Sequence, residues 1–327
     1  MKNNLNPRKA MMMATGKVDF DTHSPDGTND SGFSARQSFP PDGLVAMSRI
    51  AYQNTPLVME KLRQGVFVFR GAGGNVTAVA GSAGCAVIDT GYGPRVDEIK
   101  SGVTGALSEP PKWLVNTHWH FDHTDGDSKF AEDGASVVAH KNCLARLSQD
   151  QYVASLEWKI PASPRTEWPT VTFDGAVAID LGWETLNLIP QEPAHTDGDV
   201  AVWLPSANVL IMGDLMTNGS YPVIDESSRG SLRGMIEAIE RLLRIANADT
   251  VVVPGHGQLG NRDTLLAFCG MLRTVEGRIQ SLTASRCPVA EIIAAAPTRS
   301  RCGLGRRLCH GRHFRPHGPG SAERRWI

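Results

Sequence analysis

The amino-acid sequence predicts an α/β fold in which two β-sheets pack face to face with helices on the outside. Three observations carry that expectation. Residues 66–89 hold three strand-like runs separated by glycine-rich turns, the pattern of an antiparallel meander: Val66-Phe67-Val68-Phe69, Val76-Thr77-Ala78-Val79-Ala80 and Cys85-Ala86-Val87-Ile88-Asp89. Beyond residue 95 helix and strand patterns alternate. A second set of strands at 177–181, 185–189, 200–204 and 208–212 is again followed by helical segments. Strands followed by helices twice over is what two helix-covered layers require. A chain of 327 residues, 41% of them hydrophobic, is large enough to bury the core such layers need.

In chain order, residues 1–40 are rich in Asn, Asp, Ser, Gly and Pro without hydrophobic period, and read as a flexible arm. Residues 41–64 place apolar side chains at helical spacing from Leu44 to Leu62, which predicts a helix docked on the domain or forming a homodimer contact. Residues 65–298 read as one domain. Within it a helix is expected at 95–107, a strand at 113–116, a strand at 136–139 and a helix at 142–150. The stretch 151–170, with Trp158 and Trp168, is less regular and is a candidate substrate loop. An amphipathic helix from Leu232 to Ile245, a buried strand at 250–253 and a helix at 262–284 complete the domain.

From Arg299 the composition changes abruptly. Residues 299–327 carry eight arginines against the single acid Glu323, so this tail is +7 and the rest of the chain −8 within an overall −1. The tail reads either as disordered or as the product of a shifted reading frame. The main body has no basic groove, which argues against a nucleic-acid partner and leaves a small molecule. Six cysteines without CxxC spacing favour a reducing compartment. No signal-peptide core follows Lys2, Arg8 and Lys9, and no apolar run is long enough for a membrane, so the expected location is cytoplasmic, or periplasmic if the true start differs.

The chemistry concentrates after the strand at 113–116. His118, His120, Asp122 and His123 lie within six residues of Asn116-Thr117-His118-Trp119-His120-Phe121-Asp122-His123. Alternate residues of an extended segment share a face, so His118 and His120 point the same way, and a turn near Phe121 can swing Asp122 and His123 into the same space. Three further strand-following turns carry ligand-type residues beside glycine: His195, Asp214 and His256. His140 follows a strand with no visible partner and reads as a structural histidine.

This HxHxDH run, followed in order by His, Asp and Gly-His-Gly, resembles the metallo-β-lactamase superfamily in its dinuclear, glyoxalase-II-like form, over about residues 65–285. The resemblance implies an αββα sandwich with a metal site at one edge. His118, His120 and His195 would hold one metal, Asp122, His123 and His256 a second, and Asp214 would bridge them. Nitrogen and oxygen donors without thiolate suit Zn²⁺, two per chain, with Mn²⁺ or Fe²⁺ as substitutes. A hydroxide generated on such metals would attack a carbonyl-like carbon, with Asp122 as the catalytic carboxylate that orients it and shuttles its proton.

Asn116, Thr117, Thr196 and Asp197 are expected to support the ligands, and Asn218 or Tyr221 to donate to an oxyanion. Trp119 and Phe121, with Trp158, Trp168 and Met216, would favour an apolar or aromatic substrate. A lactone, ester, thioester, amide or activated aryl halide fits. A β-lactam is the competing substrate, but Asp214 departs from the Cys or Ser usual in true β-lactamases, which weakens the case for antibiotic hydrolysis. A redox di-iron or sulfur-metabolism role competes with hydrolysis, as does a non-catalytic scaffold stabilised by metal.

Overall fold

The computed structural model describes residues 49–298 except 51–52, 72 and 154–157. The arm at 1–40, residues 41–48 of the docking segment and the tail at 299–327 lie outside the described residues. The strands are β1 (Val58–Arg63), β2 (Val66–Arg70), β3 (Val76–Val79), β4 (Ala86–Ile88), β5 (Trp113–Val115), β6 (Ser136–His140), β7 (Gln151–Val153), β8 (Trp158–Ile160), β9 (Val171–Phe173), β10 (Val177–Asp180), β11 (Thr185–Pro190), β12 (Val200–Leu204), β13 (Val209–Asn218), β14 (Val251–Gly257) and β15 (Gly260–Asn261). The helices are α1 (Val96–Leu107), α2 (Phe121–Thr124), α3 (Asp127–Glu132), α4 (Lys141–Leu147), α5 (Leu232–Leu242), α6 (Arg262–Ala284) and α7 (Val289–Ala294).

Two sheets form the body. One runs β1-β2-β3-β4-β5-β6-β9 and the other β10-β11-β12-β13-β14-β15. Each begins as an antiparallel meander and turns parallel where a helix makes the crossover, as at β4–α1–β5 and β13–α5–β14. Period-two alternation decides which residues meet between the sheets. Val66 and Val68 of β2 and Val209 and Ile211 of β13 enter the shared core with Ile88, Val115, Leu186, Leu188, Val202 and Val253. Their neighbours face outward: Phe69 packs under Ile99 and Val103 of α1, while Leu210 and Met212 pack under Ile236 and Ile239 of α5. The layers are therefore helix, sheet, sheet, helix, the αββα sandwich expected from the sequence.

Three expectations need correction. The helix read over 44–62 does not extend through its second half: Val58–Arg63 is β1, paired antiparallel with β2. The turn at Gln64-Gly65, with Gly65 at φ 71°, makes a hairpin there, and cross-strand bonds to β2 outweigh the helical spacing of the apolar residues. Residues 151–170 are not loop throughout: β7 and β8 pair as a two-stranded sheet. Likewise β13 does not stop at 212. It continues to Asn218 through register shifts around Gly213, so Asp214 lies within a strand, and His256 likewise lies within β14. The cause is glycine: Gly213 sits at φ 50°, and a Cβ there would come within 2.6 Å of Thr117 Oγ1, a space only hydrogen fills.

The helix at 262–284 has the bounds read from sequence and starts with a capping box from Asn261 and Thr264. Cys85, Cys143 and Cys269 are buried free thiols. Among the described residues no helix is long and apolar enough to cross a membrane.

Candidate metal centre

β5 ends at Val115, and the chain bends through His118 and His120 into α2, which carries Asp122 and His123. The second sheet supplies the rest from its facing edge: His195 from the β11–β12 connection, Asp214 from β13 and His256 from β14. All seven expected ligands converge. Three groups, His118/His120/His195, His118/His123/Asp214 and Asp122/His123/His256, each have donor atoms within 4.8 Å of one another.

His195 Nε2 lies 2.9 Å from His120 Nδ1, which defines a three-histidine half. In the other half His256 Nε2 is 3.3 Å from His123 Nε2 and 3.1 Å from Asp122 Oδ2. Asp214 stands between them, with Oδ1 3.3 Å from His123 Nε2 and 3.4 Å from His256 Nε2, and Oδ2 3.7 Å from His195 Nε2. Its two oxygens thus face opposite halves, as a bridging carboxylate must.

The imidazoles are oriented from behind, and this fixes which nitrogen faces forward. Thr117 Oγ1 donates to Asp89 Oδ2 at 2.8 Å and so accepts from His118 Nδ1 at 3.1 Å. His195 Nδ1 donates to the Val223 carbonyl at 2.8 Å, His120 Nε2 to Asp225 Oδ2 at 3.3 Å and His123 Nδ1 to Asp89 Oδ2 at 2.8 Å. The nitrogens left over, His118 Nε2, His120 Nδ1, His195 Nε2 and His123 Nε2, all belong to the convergent groups. His118 Nε2 and Asp214 Oδ1 are buried with no hydrogen-bond partner. Burying such atoms costs free energy unless something binds them, so the donor set fits a divalent cation.

Electrostatics separate the halves. Burial and the neighbouring imidazoles hold His118 well below the usual histidine range, and burial takes His195 down to about 4, so both are neutral. At His123 burial opposes the charged form, but the carboxylates of Asp122, Asp214 and Asp89 overcome it and lift the imidazole to about 10. His256 is likewise raised, by Asp214 and Asp122 against burial. Burial also works against charge on Asp122, yet His123 and His256 take it down to about 2. The open side of the site is here: the side chains of His256 and Asp122 are 32% and 15% exposed, against 0% for His123.

The supporting residues read from sequence divide. Thr117 is the link from His118 to Asp89. Asn116 is buried and donates to Asp127 Oδ1 at 3.1 Å, beneath the ligand turn. Thr196 donates to Asp199, which also accepts the His195 backbone N–H, so this pair shapes the His195 turn. Asp197 turns away to a bidentate bond with Arg146. Asn218 spends its amide on the carbonyls of Gln258 and Leu259, and the Tyr221 hydroxyl donates to the Thr298 carbonyl. Both commit to backbone the hydrogens that an oxyanion would have needed.

Trp119 and Phe121 are buried in a cluster with Tyr92, Leu147 and Ile160, and Trp119 Nε1 donates to Ser228. They hold the ligand turn down. His140 is structural, its Nδ1 accepting from Asn142 at the start of α4. Sequence reasoning missed Asp89 and Asp225. Asp89 had a signal, a carboxylate at a strand end before Thr90-Gly91, whereas Asp225 had none.

Comparison with known proteins agrees with this geometry. The sequence profile of the metallo-beta-lactamase superfamily matches residues 70–256. The chain is similar to an acyl-coenzyme A thioesterase, MBLAC2, of Gallus gallus, 26% identical over 56% of this chain and 72% of that protein. It is also similar to a hydroxyacylglutathione hydrolase of Rhodospirillum rubrum, 28% identical over 53% of this chain and 57% of that protein. Among solved structures a metallo-beta-lactamase from Pontibacter korlensis shares the fold at a TM-score of 0.55 and 24% identity, covering 67% of this chain and 99% of that one. All seven convergent side chains lie inside the matched region, which exceeds half of the chain, and the chain belongs to the metallo-β-lactamase superfamily, as a hydrolase.

Proposed function

We propose that this protein is a zinc hydrolase that cleaves small thioesters or esters. The observation that carries the reading is Asp214, whose two oxygens address both halves of the site and so favour two cations. Five imidazoles and two carboxylates without thiolate suit Zn²⁺, which when bound polarises a carbonyl and brings the pKa of water towards neutrality.

The chain's own groups supply the rest. Asp122, ionised at neutral pH and at the open side, accepts a hydrogen bond from the attacking water and takes its proton. As the carbon–sulfur or carbon–oxygen bond breaks, the same carboxyl returns the proton to the departing heteroatom. Asp89 and Thr117 keep His123 and His118 from rotating, and Trp119 and Phe121 keep the ligand turn packed, so the donors are preorganised. One similar protein is a thioesterase by name and another a hydrolase of hydroxyacylglutathione, which supports sulfur as the leaving atom.

The test is release of free thiol by the zinc-loaded protein from acyl-coenzyme A and hydroxyacylglutathione thioesters, beside aryl esters, lactones and β-lactams. Metal-dependent turnover of a thioester or ester is expected. Turnover confined to β-lactams, or none on the panel, overturns the proposal.

A further inference from the structure

We infer that Gly74 and Asn75, in the connection between β2 and β3, form a positioning clamp for the Asp122/His123/His256 half of the centre alone. The inference rests on the two-metal reading proposed above.

The two residues touch all three side chains or turns that build that half. The Gly74 backbone N–H donates to the Asp122 carbonyl at 2.9 Å. A Cβ on Gly74 would stand 2.5 Å from Nδ1 of the His123 ring and closer still to Cε1, so the ring is seated against a bare Cα. Asn75 then reaches across to the other sheet. Its backbone N–H donates to the Gly255 carbonyl at 2.7 Å, and its side-chain amide donates to the carbonyls of Pro254 at 2.7 Å and Gly257 at 3.2 Å.

His256 is therefore gripped on both flanks by a residue of the first sheet. Asn75 is buried at 5% exposure and both amide hydrogens are committed. The other half is held by different groups, Thr117, Asp225 and the Val223 carbonyl.

This arrangement answers a construction problem. Asp122 and His123 lie on α2, which follows β5 of the first sheet, and His256 on β14 of the second, so their spacing depends on the register between sheets. A clamp of main-chain and amide bonds at the seam fixes that spacing before any ion arrives, and orienting contacts behind a ligand are typically worth about 10–100-fold in affinity. Gly74 is not among the glycines with positive φ, so alanine there strains the backbone little and acts through the contact with the His123 ring.

The test is titration of the metal-free full chain with zinc against a competing chelator, for the parent protein and the variants N75A, N75D, G74A and H256A. The parent is expected to show two steps, and H256A identifies the second half as the step it abolishes. In N75A and N75D that same step is expected to weaken by about 10–100-fold while the other stays within about twofold. G74A, which deletes no hydrogen bond, is expected to do the same and decides the matter should the Asn75 variants fail to fold. Equal weakening of both steps, or of neither, overturns the clamp. A parent protein that takes up no zinc rejects the metal reading and the clamp with it.

Discussion

The two halves of the centre use the same residue type in opposite ways. His118, His120 and His195 are buried, and the protons on their rear nitrogens go to a hydroxyl, a carboxylate and a carbonyl. His123 and His256 stand among Asp122, Asp214 and Asp89, and His256 is a third exposed. Burial keeps His118 and His195 neutral, whereas at His123 and His256 the carboxylates together outweigh burial. The first half is closed to solvent, and the second opens to it through His256 and Asp122. Asp214 faces both halves from the front, and Asp89 backs both, accepting from His123 directly and from Thr117 behind His118.

The largest effect is expected from Asp214→Ala. Turnover is expected to fall by about 10³-fold or more, with loss of one or both metals by elemental analysis. Full metal content with normal turnover would show that the halves need no bridge. Next in size, Asp122→Asn should lower kcat by about 10²–10⁴-fold, the range for a proton-transfer group, with stoichiometric metal at high zinc. A change in KM alone would move Asp122 out of the chemistry.

A smaller effect concerns pH. His123 is at about 10 in the folded, metal-free chain against an ordinary 6.5. A raised value means that its ion pairs stabilise the fold fully below pH 6.5, and that this contribution is lost as pH rises towards 10. Denaturant titrations of the metal-free protein should show stability declining over that window, and zinc should flatten the decline by displacing the proton. An equal slope with and without zinc would place the charge elsewhere. The smallest effect on the chemistry is expected at Trp119→Phe, which removes one N–H bond to Ser228 and part of a fully buried ring and should cost about 2–3 kcal/mol of stability with both metals retained. Selective loss of the first-half metal would give Trp119 a larger part than holding the turn.

The same contrast explains what could be read from the sequence. His118, His120, Asp122 and His123 announce themselves by falling within six residues after a strand-like run, and order along the chain adds His195, Asp214 and His256. The groups behind them do not. Asp225 and the Val223 carbonyl act through tertiary placement, and Asn75 lies in an unremarkable stretch 179 residues from the Pro254 carbonyl it binds. The αββα layering was legible because period-two alternation in β2 and β13 is a local property. β1 was not, since its identity as a strand depends on pairing with β2 rather than on its own pattern. Asn218 and Tyr221 looked like free donors only because sequence cannot show that backbone carbonyls already take their hydrogens.

The ligands come from both sheets, and that has a consequence for the unfolded chain. A cation shared by His120 and His195 closes a loop of 75 residues, and one shared by His123 and His256 closes a loop of 133. Because closure entropy grows only with the logarithm of length, the two loops differ by only about 0.5 kcal/mol in the freedom they remove. Either ion would therefore act as a reversible cross-link of nearly equal reach, fastening one sheet to the other much as a disulfide would, in a centre built without thiolate ligands.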